Sequence, residues 1–463
     1  MVEIAIIECD KLLFNRRLDA EFYKPSYQEP YKAFGKLHKR YTLVKLPNLI
    51  TVQVKTGSTP NSEERIPKLD GSDVMFIKTD SVRKGFIDYD TTDLLPLEQH
   101  KRMKSTALKY MDVVVTVVGA THEIVARAGL FLKNIEANIN QSDARIRVDT
   151  NKIEAGYLST FINSKYGRTQ LWRYSGQTGQ VTLNCREVEE LQILMLDDKL
   201  REKIHNTVLE SENLREKSKQ IYKEAQEILI KTLEIDKAKI NDEHIFYTNL
   251  SKIKKGVRLD AEYYNPKYEK LLIHLKNDLD AKELSSIVNL KKGVEVGGNE
   301  YLEEGIPFIR VSNISEFGLR DSNIKYISNS LFNKLKETFS LKIGEILLSK
   351  DATPGIAYLV REEKAALVSG GILRLKIKTD INKDYLELVL NSVSTQMQIE
   401  RESGGSVIKH WRPETVESVL VPTLQKGEQK KLGDMVKQAH DLRLKSIQLL
   451  DEAKNLVEKA IET

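Results

Sequence analysis

Three loops of this 463-residue chain hold the residue types best suited to chemistry on a polyanion. Thr56-Gly57-Ser58-Thr59-Pro60-Asn61 follows Lys55, and Ser175-Gly176-Gln177-Thr178-Gly179-Gln180 lies among Arg168, Arg173 and Arg186. The third is Ser403-Gly404-Gly405-Ser406-Val407-Ile408-Lys409-His410-Trp411-Arg412. A Gln amide can read adenine with two hydrogen bonds and Arg or Lys can read guanine, while hydroxyls and backbone amides hold phosphates. Small residues let a backbone come close. The candidate DNA contacts are therefore Lys55, Thr56, Ser58, Thr59, Asn61, Ser175, Gln177, Thr178, Gln180 and Arg186 in the first half. Ser403, Ser406, Lys409, His410 and Arg412 are their counterparts in the second, and Lys78 and Arg310 close two matching runs, Phe76-Ile77-Lys78 and Phe308-Ile309-Arg310.

Other chemistries lack their residues. An adenine methyltransferase needs an Asn/Asp-Pro-Pro-aromatic loop, and Asn265-Pro266-Lys267-Tyr268 has only one of the two prolines, so it reads as a turn or a helix start. Gly293-Val294-Glu295-Val296-Gly297-Gly298 lacks both the Gly-x-Gly-x-x-Gly spacing and a following Lys-Ser/Thr, and reads as a turn. The eight His are dispersed, with no His-Glu-x-x-His, Gly-x-Ser-x-Gly or Cys-x-x-Cys. Asp112 and Glu123 could sit in a nuclease site, but some such spacing is expected among 67 acids. No catalytic residue, metal ligand or cofactor is expected.

These loops need a scaffold, and an internal repeat supplies its outline. Arg17-Leu18-Asp19-Ala20-Glu21-Phe22-Tyr23-Lys24-Pro25-Ser26-Tyr27 recurs as Arg258-Leu259-Asp260-Ala261-Glu262-Tyr263-Tyr264-Asn265-Pro266-Lys267-Tyr268. Leu108-Lys109-Tyr110-Met111-Asp112-Val113 matches Leu341-Lys342-Ile343-Gly344-Glu345-Ile346 in the same order. Each copy opens with short β-rich runs between Gly, Asn and Asp turn signals, which describes an α+β domain. Each closes on a long helix: Lys199 to Asp236 contains no Gly or Pro, and at 1.5 Å per residue would run roughly 57 Å. Its heptad puts Leu200, Thr207, Leu214, Ile221, Ile228 and Ile235 on one row, with Ile204, Ser211, Ser218, Ala225 and Thr232 beside it. The second copy has Met435, Leu442, Leu449 and Leu456 beside Leu432, Ala439, Ser446, Ala453 and Ala460. Large rows beside small rows suit close helix pairing, so Leu214, Ile221, Ala225, Ile228, Leu442, Leu449, Ala453 and Leu456 are the expected pairing residues. The domains expected are residues 1–197, a helix over 198–236, a linker over 237–256, a second domain over 257–424 and a second helix over 425–463.

Composition sets the remaining limits. With 72 Lys+Arg against 67 Asp+Glu, charge neither demands nor forbids nucleic acid. The longest strongly apolar run, Val113 to Val118, is far short of the ~20 residues that span a bilayer, and no secretory leader is evident, so no membrane partner is expected. Cys9 and Cys185, too few for a disulfide framework, suit a reducing cytoplasm.

The duplicated Arg-Leu-Asp-Ala-Glu-aromatic-Tyr-x-Pro-x-Tyr segment, the Leu-Lys-x-x-Asp/Glu run, the Ser-Gly loop and the stretch Pro422 to Gln429 entering a helix together resemble the DNA-specificity subunit of type I restriction-modification systems. The resemblance covers nearly the whole chain. It departs at the first helix start, where Leu196-Asp197-Asp198-Lys199-Leu200 replaces the Pro-containing form. It implies two target-recognition domains, each reading half of a bipartite duplex DNA site, and two helices paired as an antiparallel coiled coil. It implies modification (methyltransferase) subunits, two of them, and restriction subunits as partners, with the chemistry in those partners. Because the loops of the two copies differ, the target is expected to be asymmetric. A duplicated coiled-coil scaffold that reads no DNA, and a self-contained DNA-modifying enzyme, are the alternative readings.

Overall fold

The computed structural model describes residues 19–37, 39–60, 73–175, 180–235, 245–251, 253, 259–320, 323–403 and 409–463, apart from the side chains of Glu21, Asp73, Lys409 and His410. The chain divides into two compact units, Met1–Arg215 with Leu444–Thr463, and Glu216–Arg443. Each long helix is thus shared between units, whereas the sequence reading places the boundaries at the helix starts.

The first unit is built on a sheet ordered Ile50–Thr56, Asp143–Val148, Val113–Thr116, Ala128–Leu130, Gly85–Phe86. A second sheet, ordered Asp93–Pro96, Asp73–Ile77, Ala137–Ile139, lies beside it in the fold. The central strand shows why it opens with three valines in succession: side chains alternate faces, and both faces are covered. Val113 and Val115 join the core formed with the helices Ala155–Asn163 and Lys165–Tyr174, while Val114 joins Ile77, Ile87, Leu108 and Phe131 on the other side. Asp112, at the foot of this strand, accepts from Arg147 at 2.6 and 2.8 Å. Three buried polar side chains tie the helices down. Asn163 brackets the backbone of Ala128, Gln170 exchanges two hydrogen bonds with the backbone of Gln192, and the Tyr157 hydroxyl donates to the Leu194 carbonyl.

The second unit has a sheet ordered Val288–Lys292, Ile372–Ile377, Ile346–Ser349, Ala357–Leu359, and another ordered Lys325–Ile327, Ile306–Ile309, Leu367–Val368. Ile346 and Leu348 face one core and Leu347 the other. Glu345 accepts from Arg374 at 2.7 and 2.8 Å, Asn391 brackets Ala357, Gln398 exchanges two bonds with Leu420, and Tyr385 donates to Pro422 at 2.8 Å. The turn before the central strand needs a left-handed residue in both units: Gly344 has φ 84° and Met111 has φ 71°. Asn265 is an N-cap, its side chain accepting from the Lys267 amide, with Pro266 in the first turn of the helix Pro266–Asn277.

The long helices run Asp198–Thr232 and Lys426–Glu462. At the second start Gln429 bonds the Leu424 carbonyl and the Asn382 amide. At the first, Arg201 takes a similar place, reaching the Leu196 and Lys152 carbonyls, so a cation does there what an amide does in the other unit. Within the first unit Ser211 donates to the Ser446 backbone at 2.9 Å, and Ile204 and Val208 share a core with Ala453, Val457 and Ile461. Within the second, Ser218 donates to the Ala439 carbonyl at 2.7 Å, and Ala225 and Leu229 share a core with Leu432 and Val436.

The buried rows differ from those expected. Leu214, Ile221, Ile228, Leu442, Leu449 and Leu456 are half-buried, whereas Ala225 and Ala453 are fully buried. The large partners of the small row are Val208, Tyr222, Leu229, Val436 and Val457. That row also contains Arg201 and Arg215, so its burial is hidden from a search for continuous apolar periodicity.

Candidate nucleic-acid interface

In each unit several loops leave the same end of the main sheet, and backbone hydrogen bonds lace them together. In the first unit the amide of Gly57, which follows the strand Ile50–Thr56, donates to Asn140 and Asp143 carbonyls at 3.1 and 3.2 Å. Asn140 donates to Ile77, the residue before Lys78; Val117 donates to Ser142, and Leu183 to Val117. The segments after residues 56, 77 and 116 and the segment ending at 183 therefore meet around residues 140–143. Gly57 is required here by packing: a Cβ would stand 1.8 Å from the Ile139 carbonyl oxygen. The expected close approach at this glycine is to the protein's own backbone.

The second unit repeats the arrangement with other side chains. Gly293 donates to Ile372, Ser369 to Ile309, Lys350 to Gly371, and Trp411 to Lys350, at 2.8 to 3.1 Å. A Cβ at Gly293 would meet the Ser369 and Val368 carbonyls at 2.2 and 2.4 Å. Strand Lys409–His410 pairs with Asp351–Ala352, as Val181–Thr182 pairs with Val118–Gly119 in the first unit. Trp411 is fully buried and Arg412, next in the chain, is exposed.

The first unit carries an excess of positive charge near this end. Lys55 and Arg145 face each other across the strand pair, and both turn to Ser105, at 2.9 Å to its hydroxyl and 3.1 Å to its carbonyl. Burial, then the Arg147 charge, lowers the Arg145 pKa. A second cluster sets Lys84, Arg127 and Arg168 around Glu123: Lys84 pairs with its carboxylate at 2.9 Å and both arginines hold its carbonyl. Burial and the Arg168 charge lower Lys84, while the hydrogen bond from Lys84 and the charge of Arg168 overcome burial and depress Glu123. Clusters with more cations than carboxylates suit a phosphate backbone. In the second unit the pairs are balanced, Lys350 with Asp351 at 2.6 Å and Lys292 with Glu295 at 3.2 Å.

The sequence-derived residues fall into four groups. Lys55, Ser58, Thr59, Gln180, Arg186 and Arg412 are exposed, and Thr56 is half-buried. Lys78 is engaged by Asp93 at 2.8 Å, and Arg310 by the Asn323 carbonyl and the Tyr301 ring. Ser175 and Ser403 are buried, contrary to the expectation that they face DNA: Ser175 donates to the Trp172 carbonyl at 2.7 Å and sits 3.1 Å from His122 Nε2, and Ser403 ends the helix Val393–Ser403. Both lie at a helix end, where a small hydroxyl fits against the last turn. Asn61, Gln177, Thr178 and Ser406, and the side chains of Lys409 and His410, lie outside the described residues. Arg145, Asp143, Lys84, Arg127 and Lys350 were missed, because a charged residue inside a β-run or beside a glycine gives no periodic signal. Asp112 and Glu123 do not converge into a nuclease pair; each is engaged by cations. No described helix is long and apolar enough to cross a membrane.

No curated protein matches the chain. Among solved structures, the S subunit of a type I restriction-modification system from M. genitalium is 14% identical with a TM-score of 0.36, over 91% of this chain and 95% of that one. The HsdS subunit from Thermoanaerobacter tengcongensis is 13% identical with a TM-score of 0.29, over 91% of this chain and 96% of that one. Residues 276–455 match the family model for the type I restriction modification DNA specificity domain. That segment holds the second unit's two sheets, its converging loops and most of the second long helix, and it is this part of the chain that is similar to the type I restriction modification DNA specificity domain.

Proposed function

We propose that this chain is the DNA-specificity subunit of a type I restriction-modification complex, in which each unit reads one half of an asymmetric, bipartite duplex target. The observation that carries the reading is the family match over 276–455 together with the same order of four main-sheet strands and the same loop convergence in the first unit, which lies outside that match and whose sheet adds a fifth strand, Gly85–Phe86. On this reading the two units are diverged copies. Their long helices pair antiparallel as a coiled coil, which the contacts Ser211 to Ser446 and Ser218 to Ala439 support, since the numbers fall on one helix as they rise on the other. The helices set the half-site separation and dock modification subunits, two per chain, and a full complex adds restriction subunits. Methyl transfer and cleavage reside in those partners; this chain positions DNA.

The division of labour follows from the charges. The first unit's cation-rich clusters around Ser105 and Glu123 hold phosphates and fix register. Gln180, Arg186 and Arg412 read base edges on this proposal, which their exposure supports. The test is selection from a randomised duplex library by the chain purified with its modification subunit. Two short, unlike half-sites at constant spacing are expected. A palindromic site would contradict the asymmetric reading, and no enrichment by an assembled complex would leave a coiled-coil scaffold as the function. Methyl transfer by the chain alone would make it an enzyme.

A further inference from the structure

Each unit contains an arginine from a long helix laid over a phenylalanine of a domain hairpin. In the first unit the Arg215 guanidinium carbon lies 3.3 Å from the centre of the Phe86 ring. Arg215 is buried, and it also bonds Glu212 at 2.8 Å and the Ser446 hydroxyl at 3.3 Å, so one side chain ties the hairpin to both long helices. Leu450 of the second helix completes the contact, its Cδ2 standing 2.9 Å from where a Cβ of Gly85 would be. In the second unit Arg443 lies over Phe317 at 5.2 Å, and Tyr222 of the first helix packs on the same ring at 4.9 Å. Both hairpins have a glycine in the left-handed region, Gly85 at φ 96° and Gly318 at φ 128°. The phenylalanine follows that glycine in one unit and precedes it in the other, so a comparison of the two sequences does not reveal the match.

We infer that Arg215 and Arg443 are positioning residues that hold each domain's hairpin on the helices through Phe86 and Phe317, and so set the spacing at which the two half-sites are accepted. The inference rests on the DNA-specificity reading above. The physical basis is that a desolvated guanidinium over an aromatic face is both attractive and directional. Only a planar fork can stack on the ring and bond Glu212 and Ser446 together, so lysine should not replace Arg215.

The experiment has two arms. In the first, spin labels at Lys101 and Gln448, in a Cys9→Ser, Cys185→Ser background, report the distance between domain and helix within the first unit of the full chain. In the second, the complex with the modification subunit selects from a library in which the spacer length varies. Arg215→Ala and Phe86→Leu are expected to widen the distance distribution and to cut discrimination against a spacer one base pair too long or short about tenfold, while base preference within each half-site stays unchanged. Phe86→Tyr should behave as wild type and Arg215→Lys as Arg215→Ala. Arg443→Ala and Phe317→Leu should do the same from the second unit. An unchanged distance distribution, or a loss of base preference as large as the loss of spacing, would overturn the inference. A wild-type complex that enriches no paired half-sites, while the labels still respond to Arg215→Ala, would instead overturn the DNA reading and leave the clasp intact.

Discussion

Asp143 is a carboxyl placed where the loops of the first unit meet, and it tests whether that junction is as dry as its geometry indicates. It is fully buried; among the described residues Oδ1 has no hydrogen-bond partner and Oδ2 has Thr79 at 3.4 Å. Burial, partly offset by the Thr79 hydrogen bond and reinforced by the Asp80 charge, holds its pKa well above the usual carboxylate range. Ile372 occupies the matching strand position in the second unit, opposite Ser349 as Asp143 is opposite Thr116. A raised acid is neutral in the folded protein while it ionises freely in the unfolded chain. Its contribution to stability is therefore best below the ordinary aspartate pKa, about 3.9, falls as pH rises above that value, and levels off once the folded carboxyl also ionises. Asp143→Asn removes the ionisation while keeping the shape. At pH 8 the variant should be more stable than wild type, by about 1.4 kcal/mol for each pH unit over which the folded carboxyl stays neutral while the unfolded one is ionised. At pH 4 the two should agree. Because the chain has two units, a single global unfolding transition is a poor probe; hydrogen exchange of residues 143–148 at both pH values reads the affected strand. A variant that is equally or more labile than wild type at pH 8, or a difference independent of pH, would refute the dry, unpartnered carboxyl.

Three further outcomes are expected. Gly344→Ala, at φ 84° with open space around its Cβ position, should cost about 1–2 kcal/mol from the left-handed backbone alone, measured by denaturant unfolding of the second unit. Ala453→Arg places an unpaired charge in a fully buried seam with Ile204 and Val457; it should disrupt helix packing and assembly with the modification subunit, by about 3–5 kcal/mol if the charge stays buried, as read by size-exclusion and helix exchange rates. Arg412→Ala should weaken discrimination in one half-site only, by about 1–3 kcal/mol if a bidentate base contact is lost; an equal loss on every sequence would make Arg412 a phosphate contact. The same reasoning holds for Gln177→Ala in the other half-site.

Local chemistry was legible where a residue type has few places to go. Asn265-Pro266 can cap and open a helix, and it does. The Val113 to Val115 run has no polar residue on either face, and it lies in a strand covered on both sides. The stretch without Gly or Pro after Lys199 forms one continuous helix, ending at Thr232 rather than Asp236. The order of repeated motifs was also sufficient for the resemblance to DNA-specificity subunits, and residues 276–455 bear that family out. These are properties of neighbouring residues or of their order, and need no knowledge of what packs against them.

Tertiary structure decided the rest. A heptad names several rows, and which one is buried depends on the partner: the row containing Val208, Arg215, Tyr222 and Leu229 is buried, and the Arg215 guanidinium goes in with it because Glu212 and Ser446 bond it there. Ser175 and Ser403 look like surface hydroxyls in sequence and are buried at helix ends. Gly57 and Gly293 look like open loop residues and are pressed against carbonyls about 80 residues away in the chain, at Ile139 and Ser369. Arg145, Asp143 and Lys350 acquire their roles only when strands distant in sequence bring loop ends together. Periodicity and propensity act over a few residues; contact across a hundred is set by which faces find each other, and that choice is a property of the packed chain.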